Sequence, residues 1–323
     1  MSESESGVNV EVNKSESNQV PRRTVGISIM CLLIVFVAVW MTLQSERQES
    51  VEVAAVVEPD TFPGFRSDAW YLPDGSLLGF VKIPSGPFMM GSNPLLDRLA
   101  YENERWSSTR RQGSVEIGDF YIGKFEVTVA QFRLFAQQQP DLANAVSADV
   151  RGTIPITNIT WPEALAYARW LESEIKNSPA TPEELRSYLA SGGQLSIPTE
   201  AEWEKAARGS DGRLFPWGNT PSTEFANYGA STILPVGSKP CTQCAYGLQD
   251  MSGNAWELTR SPLQAYPYSL DDDNENLAED ALWVMRGGSF SDSLGNVRAA
   301  VRGGVDPGVR SNTIGFRVVI SKP

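Results

Sequence analysis

The sequence contains no histidine, and the last of its three cysteines is Cys244. A serine hydrolase of the usual kind needs a histidine base, so that chemistry is excluded. A structural zinc site needs four nitrogen or sulfur ligands, and Cys241 and Cys244 have only Cys31, inside an apolar run, to join them. Basic residues are also scarce: 27 Lys and Arg against 39 Asp and Glu leave a formal charge of −12. A phosphate backbone calls for a concentrated Lys/Arg surface that displaces its counterions, so no nucleic acid partner is expected. What the chain does have is apolar and aromatic bulk. Of its 323 residues 41% are hydrophobic and nine are Trp, ample for a sizeable core.

The first 66 residues differ from the rest. Residues 1–23 are rich in Ser, Glu, Asn and Val and poor in aromatics, the composition of a disordered tail. From 24 to 45 there are 22 residues without a charge, enough helix to cross a hydrocarbon layer of ~30 Å at ~1.5 Å per residue. A cleaved signal peptide is the rival reading, but its apolar region is shorter and ends at small residues, whereas this run stays bulky to Leu43. An uncleaved transmembrane anchor is therefore expected. Arg22 and Arg23 abut the span on its N-terminal side, while Arg47 on the other side stands among Glu46, Glu49 and Glu52. That asymmetry predicts a cytoplasmic N-terminus and an inner-membrane, single-pass protein. A polar linker at 46–66 would carry one domain, 67–323, in the periplasm or another extracytoplasmic space, where Ca²⁺ and oxidised cysteines are at home.

Helix starts are marked by Thr-x-x-Glu/Gln spacing, in which each side chain satisfies the other's free backbone donor. Thr128 with Gln131, Thr160 with Glu163, Thr181 with Glu184 and Thr199 with Glu202 predict four. After Thr160, Leu165, Ala168, Leu171 and Ile175 recur at helical spacing opposite Glu163, Arg169, Glu172 and Lys176. Short, scattered strand-like pieces at 78–83, 115–122, 283–286 and 316–320 predict strands. Long Gly, Pro, Asn and Ser segments lie between them. The expected fold class is α+β in one domain with much irregular structure.

The segment from Asp250 to Glu257 places two carboxylates on either side of Gly253, so that they and the intervening carbonyls can converge as oxygen ligands. Ca²⁺ takes ~6–8 oxygens at ~2.3–2.6 Å. The alternative is that Asp250 caps a turn while Glu257 is merely solvated.

Nine segments in fixed order, IPSGPFMMGS (83–92), DFYIGKFEVTVAQF (119–132), PITNITWPEALAYARWL (155–171), LSIPTEAEWEKAARG (195–209), RLFPWGN (213–219), YGLQDMSGNAWELT (246–259), MRGGSF (285–290), RAAVR (298–302) and GFRVV (315–319), resemble the formylglycine-generating, or sulfatase-modifying factor, family. The resemblance spans 67–323 and implies a mixed α/β fold related to the C-type lectin scaffold. It also implies a structural Ca²⁺ held by Asp250 and Glu257 with the carbonyls of Gly253 and Ala255. A second Ca²⁺ site of the family would use Asn227, but the loop from Tyr228 to Tyr246 that supplies its other ligands is shortened.

Family oxidases use two cysteines shortly after RGGS to bind Cu(I) and exchange with the substrate thiol. Here Asp292 stands in the place of the first, and the second has no counterpart. A carboxylate is a hard ligand, so neither copper nor formylglycine generation is expected. Relatives that hold non-haem iron through histidines are likewise no guide, although a periplasmic member in siderophore maturation also lacks the cysteine pair. Asp292 as a base, with Ser289 beside it, remains the candidate for a carboxylate-based oxidase or maturation enzyme. The other reading of both residues is a hydrogen-bonded turn.

Cys241 and Cys244 are expected to form a disulfide, since Pro240 before them and Gly247 after them read as loop rather than the helix start of a redox motif. The acidic run 271–280 reads as a solvated loop. Arg286, Arg298, Arg302, Arg310 and Arg317 either frame an anionic ligand or form Arg–carboxylate pairs that organise loops. The leading expectation is a Ca²⁺-stabilised binding or assembly module with a periplasmic protein or peptide as partner. The enzyme, using Asp292 and Ser289, is the alternative.

Overall fold

The computed structural model describes residues 76–140, 142, 150–273 and 281–323, together with Val35 and Val39. The tail, the linker and the rest of the predicted span lie outside the described residues. Val35 and Val39 are helical and exposed, and among the described residues no helix is long and apolar enough to cross a membrane.

Three of the four predicted helix starts close as reciprocal caps. Thr128, Thr160 and Thr199 each accept from the backbone three residues on, while Gln131, Glu163 and Glu202 reach back, opening α1 (Val129–Ala136), α2 (Trp161–Asn177) and α4 (Glu200–Arg208). The fourth differs. Thr181 donates its hydroxyl to the Ile175 carbonyl instead, and α3 (Glu183–Ala190) begins after Pro182 without a side-chain cap. Proline's fixed φ starts that helix in place of a hydroxyl acceptor.

Among the described residues ten short strands make three sheets. The first runs β1 (Phe80–Ile83), β4 (Phe120–Gly123), β10 (Val319–Ser321), β5 (Gln194–Ser196), all antiparallel. β2 (Gly86–Met90) pairs β3 (Gly113–Ile117). The third sheet is ordered β8 (Gly303–Val305), β7 (Trp283–Arg286), β6 (Trp256–Pro262), β9 (Ile314–Gly315), with β6 and β9 parallel. The run 115–122, expected as one strand, is split at Gly118 and Asp119 between two sheets. The run 316–320 is likewise largely coil, and only Val319 and Ile320 of it pair.

α2 buries Leu165, Ala168, Leu171 and Ile175 as its periodicity predicts. Trp161 at its start stacks on Trp283 at 4.2 Å and donates its indole N–H to the Thr259 carbonyl, tying α2 to the third sheet. α4 has no solvent face: all nine of its residues are buried, including Glu200, Glu202, Glu204, Lys205 and Arg208. The glutamates at 200 and 204 are met by arginines of α4 itself, of β7 and of the segment after it. Arg302 forks onto Glu200, Arg286 reaches Glu200 and Glu204, and Arg208 pairs Glu204. Arg298 similarly holds Glu104 and Asp97. The arginines thus pin the irregular segments, and four of the five singled out above are buried in carboxylate pairs; Arg310 pairs Glu163 nearer the surface.

Candidate functional site

The segment Asp250 to Glu257 runs from a turn into β6. Gly253 adopts φ +75°, and a Cβ there would lie 2.2 Å from the Asn227 carbonyl oxygen, so only glycine permits this approach. Asn254 N–H donates to that carbonyl, and its side-chain oxygen accepts from Asn227 Nδ2 and Leu234 N–H. Asn227, which the sequence assigns to a separate second site, therefore packs directly on the segment of the first.

Glu257 does not point into open space. Both its oxygens are engaged by Arg317, and Oε2 also accepts from Trp203 Nε1 at 2.6 Å. Asp250 accepts from Gly237 N–H at 2.6 Å. The residue that sequence reasoning missed is Glu126, in the loop before α1. It is wholly buried; its Oε1 accepts from Asn254 Nδ2, whereas Oε2 finds no donor. The signal was a lone carboxylate inside the apolar stretch from Phe120 to Val129.

Glu126 and Asp250 are buried together, each within reach of the other's charge. Burial, reinforced by the charges of Asp250 and Glu257, pushes Glu126 well above the usual carboxylate range. Burial also raises Asp250, to about 6, against the opposing pull of the Gly237 N–H and Arg317. Three carboxyls thus face one guanidinium, which Glu257 already occupies. The shortfall of positive charge and the orphaned Glu126 oxygen suit a hard divalent cation. Among the described residues no three carboxylate, cysteine or histidine side chains converge as a ready ligand group. A cation here would draw on main-chain and amide oxygens, with Asp250 and Glu126 as carboxylates and Glu257 committed to its arginine.

The corner after RGGS is filled. Asp292 Oδ2 accepts from Ser289 Oγ at 2.6 Å, Ser289 N–H at 3.0 Å and Trp256 Nε1 at 2.9 Å, while Oδ1 accepts from Asn296 Nδ2 at 2.7 Å. Ser289 is 1% exposed. Clefts of about 650, 460 and 380 Å³ open on the described surface, and neither residue lines any of them. Three of these donors crowd Oδ2 and hold the carboxylate in the turn, which leaves only one acceptor position, on Oδ1, beside Asn296.

Cys241 and Cys244 are bonded to each other. Gln249 locks their loop, accepting from Cys241 N–H and donating to the carbonyls of Cys241 and Gly247. At the start of the acidic run Leu270–Asp272 form a single 3-10 turn, and 274–280 lie outside the described residues.

Residues 72–322 match the Sulfatase-modifying factor enzyme 1-like domain. The chain belongs to this family, as its motifs anticipated. It is 30% identical over 269 residues to a hercynine oxygenase of Mycolicibacterium smegmatis, covering 69% of this chain and 56% of that protein, so the chain spans little more than half of that relative. It is 29% identical over 295 residues to the inactive C-alpha-formylglycine-generating enzyme 2 of Bos taurus, covering 76% of this chain and 89% of the relative. Among solved structures, PvdO from Pseudomonas aeruginosa superposes with a TM-score of 0.61 at 21% identity, over 81% of this chain and 99% of that one, which shows the shared mixed α/β fold.

Proposed function

We propose that this chain is a binding or assembly module of the sulfatase-modifying factor family, without formylglycine-generating activity. The observation that carries the reading is the engagement of Asp292 by four internal donors at the position where family oxidases place a catalytic cysteine. Removing a thiol and converting its site into an internal hydrogen-bonded staple keeps the scaffold and discards the reaction. A relative named as an inactive member, matched over 89% of its length, is consistent with such a fate.

The module is further proposed to sit outside the cytoplasm on a single inner-membrane span at 24–45, and to present its surface to a periplasmic protein, peptide or other extracytoplasmic ligand. A Ca²⁺ held by Asp250, Glu126, the Asn227 amide and the Gly253 and Ala255 carbonyls would neutralise the buried carboxylates and cross-link the loop at 227 to β6. Its role would be structural. The Arg317 grip on Glu257 makes that carboxylate the least available of the expected ligands.

The alternative, a carboxylate-based oxidase or maturation enzyme, draws support from the similarity to a hercynine oxygenase. It is the weaker reading because Asp292 and Ser289 face each other rather than a cleft. The decisive experiment incubates the full chain with a Cys-x-Pro-x-Arg peptide, with and without copper. Unchanged peptide by mass spectrometry is the expected result, and formylglycine product would overturn the assignment.

A further inference from the structure

A cleft of about 650 Å³ is lined by the segment Trp217 to Phe225 together with Tyr228 and Gln243, and the proposed function makes no use of it. Its size falls within the ~300–1,000 Å³ usual for small-ligand sites. Its framework is rigid. Phe215 and Trp217 stack at 5.2 Å, Trp217 meets Phe225 at 5.8 Å, and the Trp217 indole N–H donates to the Thr220 carbonyl at 2.7 Å. Asn219 Oδ1 caps Leu214 N–H, and Ser222 Oγ caps Glu224 N–H.

The opposite wall is stapled. Gln243 sits inside the Cys241–Cys244 disulfide loop, and its carbonyl accepts from Arg213 Nη1, which is itself fixed by Asp211. The loop is therefore held from both sides, and the Gln243 amide stands exposed on the wall.

Against this fixed frame several polar groups are uncommitted. Among the described residues the Gln243 amide, the Thr220 and Thr223 hydroxyls, the Tyr228 hydroxyl and Asn219 Nδ2 make no hydrogen bond. No cation lines the cleft, and Glu224 is its one carboxylate. Aromatic rings half-exposed at Phe225 and Tyr228, alternating with short neutral donors and acceptors, match a ligand that has an apolar C–H face and an edge of hydroxyls. An anion would meet Glu224 with no cation to balance it, and a wholly apolar ligand would leave the polar groups unused.

We propose that this cleft binds a neutral carbohydrate, with a sugar ring laid on Phe225 and Tyr228 and its hydroxyls read by Gln243, Thr220 and Thr223. This rests on the binding-module reading and names the ligand class for it.

The full chain is titrated calorimetrically with maltotriose, cellotriose and triacetylchitotriose, which differ in linkage and in the acetamido group. At least one should bind saturably. Gln243→Ala and Thr223→Ala, both at exposed positions, should each weaken it roughly fivefold, the loss of one neutral hydrogen bond. Lys176→Ala, on a different cleft, should leave it unchanged. Absence of binding by all three sugars, or binding that both cleft variants leave intact, overturns the proposal. The two readings fail separately: formylglycine product would sink the module whatever the sugars do, and sugar-silent, product-free protein would remove only the carbohydrate.

Discussion

Arg317 grips Glu257 through two hydrogen bonds of 2.5 Å, Nε to Oε2 and Nη2 to Oε1, with both side chains fully buried. The same guanidinium donates to the carbonyls of Gly123 and Gln249, so one side chain joins β4, β6 and the loop before the candidate cation segment. A buried pair of this kind is not a large net gain over an apolar pair, but breaking it leaves a charge without a partner.

Arg317→Ala should therefore destabilise the fold by about 3–5 kcal/mol. Glu257 would be stranded, with Glu126 and Asp250 beside it. Urea unfolding followed by tryptophan fluorescence reads the loss; a variant within 1 kcal/mol of the parent would show that the pair is dispensable.

Asp292→Ala removes the acceptor of four donors, two of them on Ser289. The expected result is a lowered unfolding free energy, by about 2 kcal/mol, because the donors at this half-buried site recover water only in part. Asp292→Asn, which keeps one carbonyl oxygen, should fall between the two. A catalytic role would predict the reverse pattern, with stability unchanged and a turnover lost.

Calcium should raise the melting temperature of the full chain, and a chelator should reverse the rise. At 100 times its Kd a ligand stabilises by about 2.7 kcal/mol, worth roughly 5–11 °C for a domain of this size. Asp250→Asn and Glu126→Gln should each abolish most of that increment, since each removes one of the carboxylates left unneutralised by Arg317. A melting temperature indifferent to calcium and to chelator in the parent chain would exclude the cation.

Burial raises the Glu163 carboxyl, but the Arg310 hydrogen bonds and the Thr160 N–H outweigh it and leave it below its usual range. The charged carboxylate is thus the form the folded state prefers. Its contribution is complete above the unfolded-state pKa near 4.5 and disappears as pH falls through the lower folded value. Glu163→Gln should cost about 0.5 kcal/mol at neutral pH, as expected for a pair whose arginine is 44% exposed. The difference from the parent should close in acid. A gap that widens below pH 4 would reverse the assignment.

Much of this was legible before any coordinates. The Thr-x-x-Glu/Gln pairs at 128, 160 and 199 close as read because a capping box is satisfied within four residues and needs nothing from elsewhere. Thr181 departs from that reading because its hydroxyl found the Ile175 carbonyl across a turn. The strand at 115–122 failed because Gly118 and Asp119 interrupt it: the chain leaves β3 there and enters β4 of another sheet.

The sequence by itself determined the family, a fold of mixed helices and strands, the lack of any histidine and of any cysteine after Cys244, and the residues of the Asp250 to Glu257 turn. These are local or compositional properties, and they hold whatever the chain packs against. Only the tertiary structure decided that Asp292 is a staple, that Glu257 belongs to Arg317, and that Glu126 joins Asp250 at a site short of positive charge. Each depends on which partner reaches a carboxylate first in a low-dielectric interior. Residues 60 or 124 positions apart meet there, and no spacing in the sequence announces it.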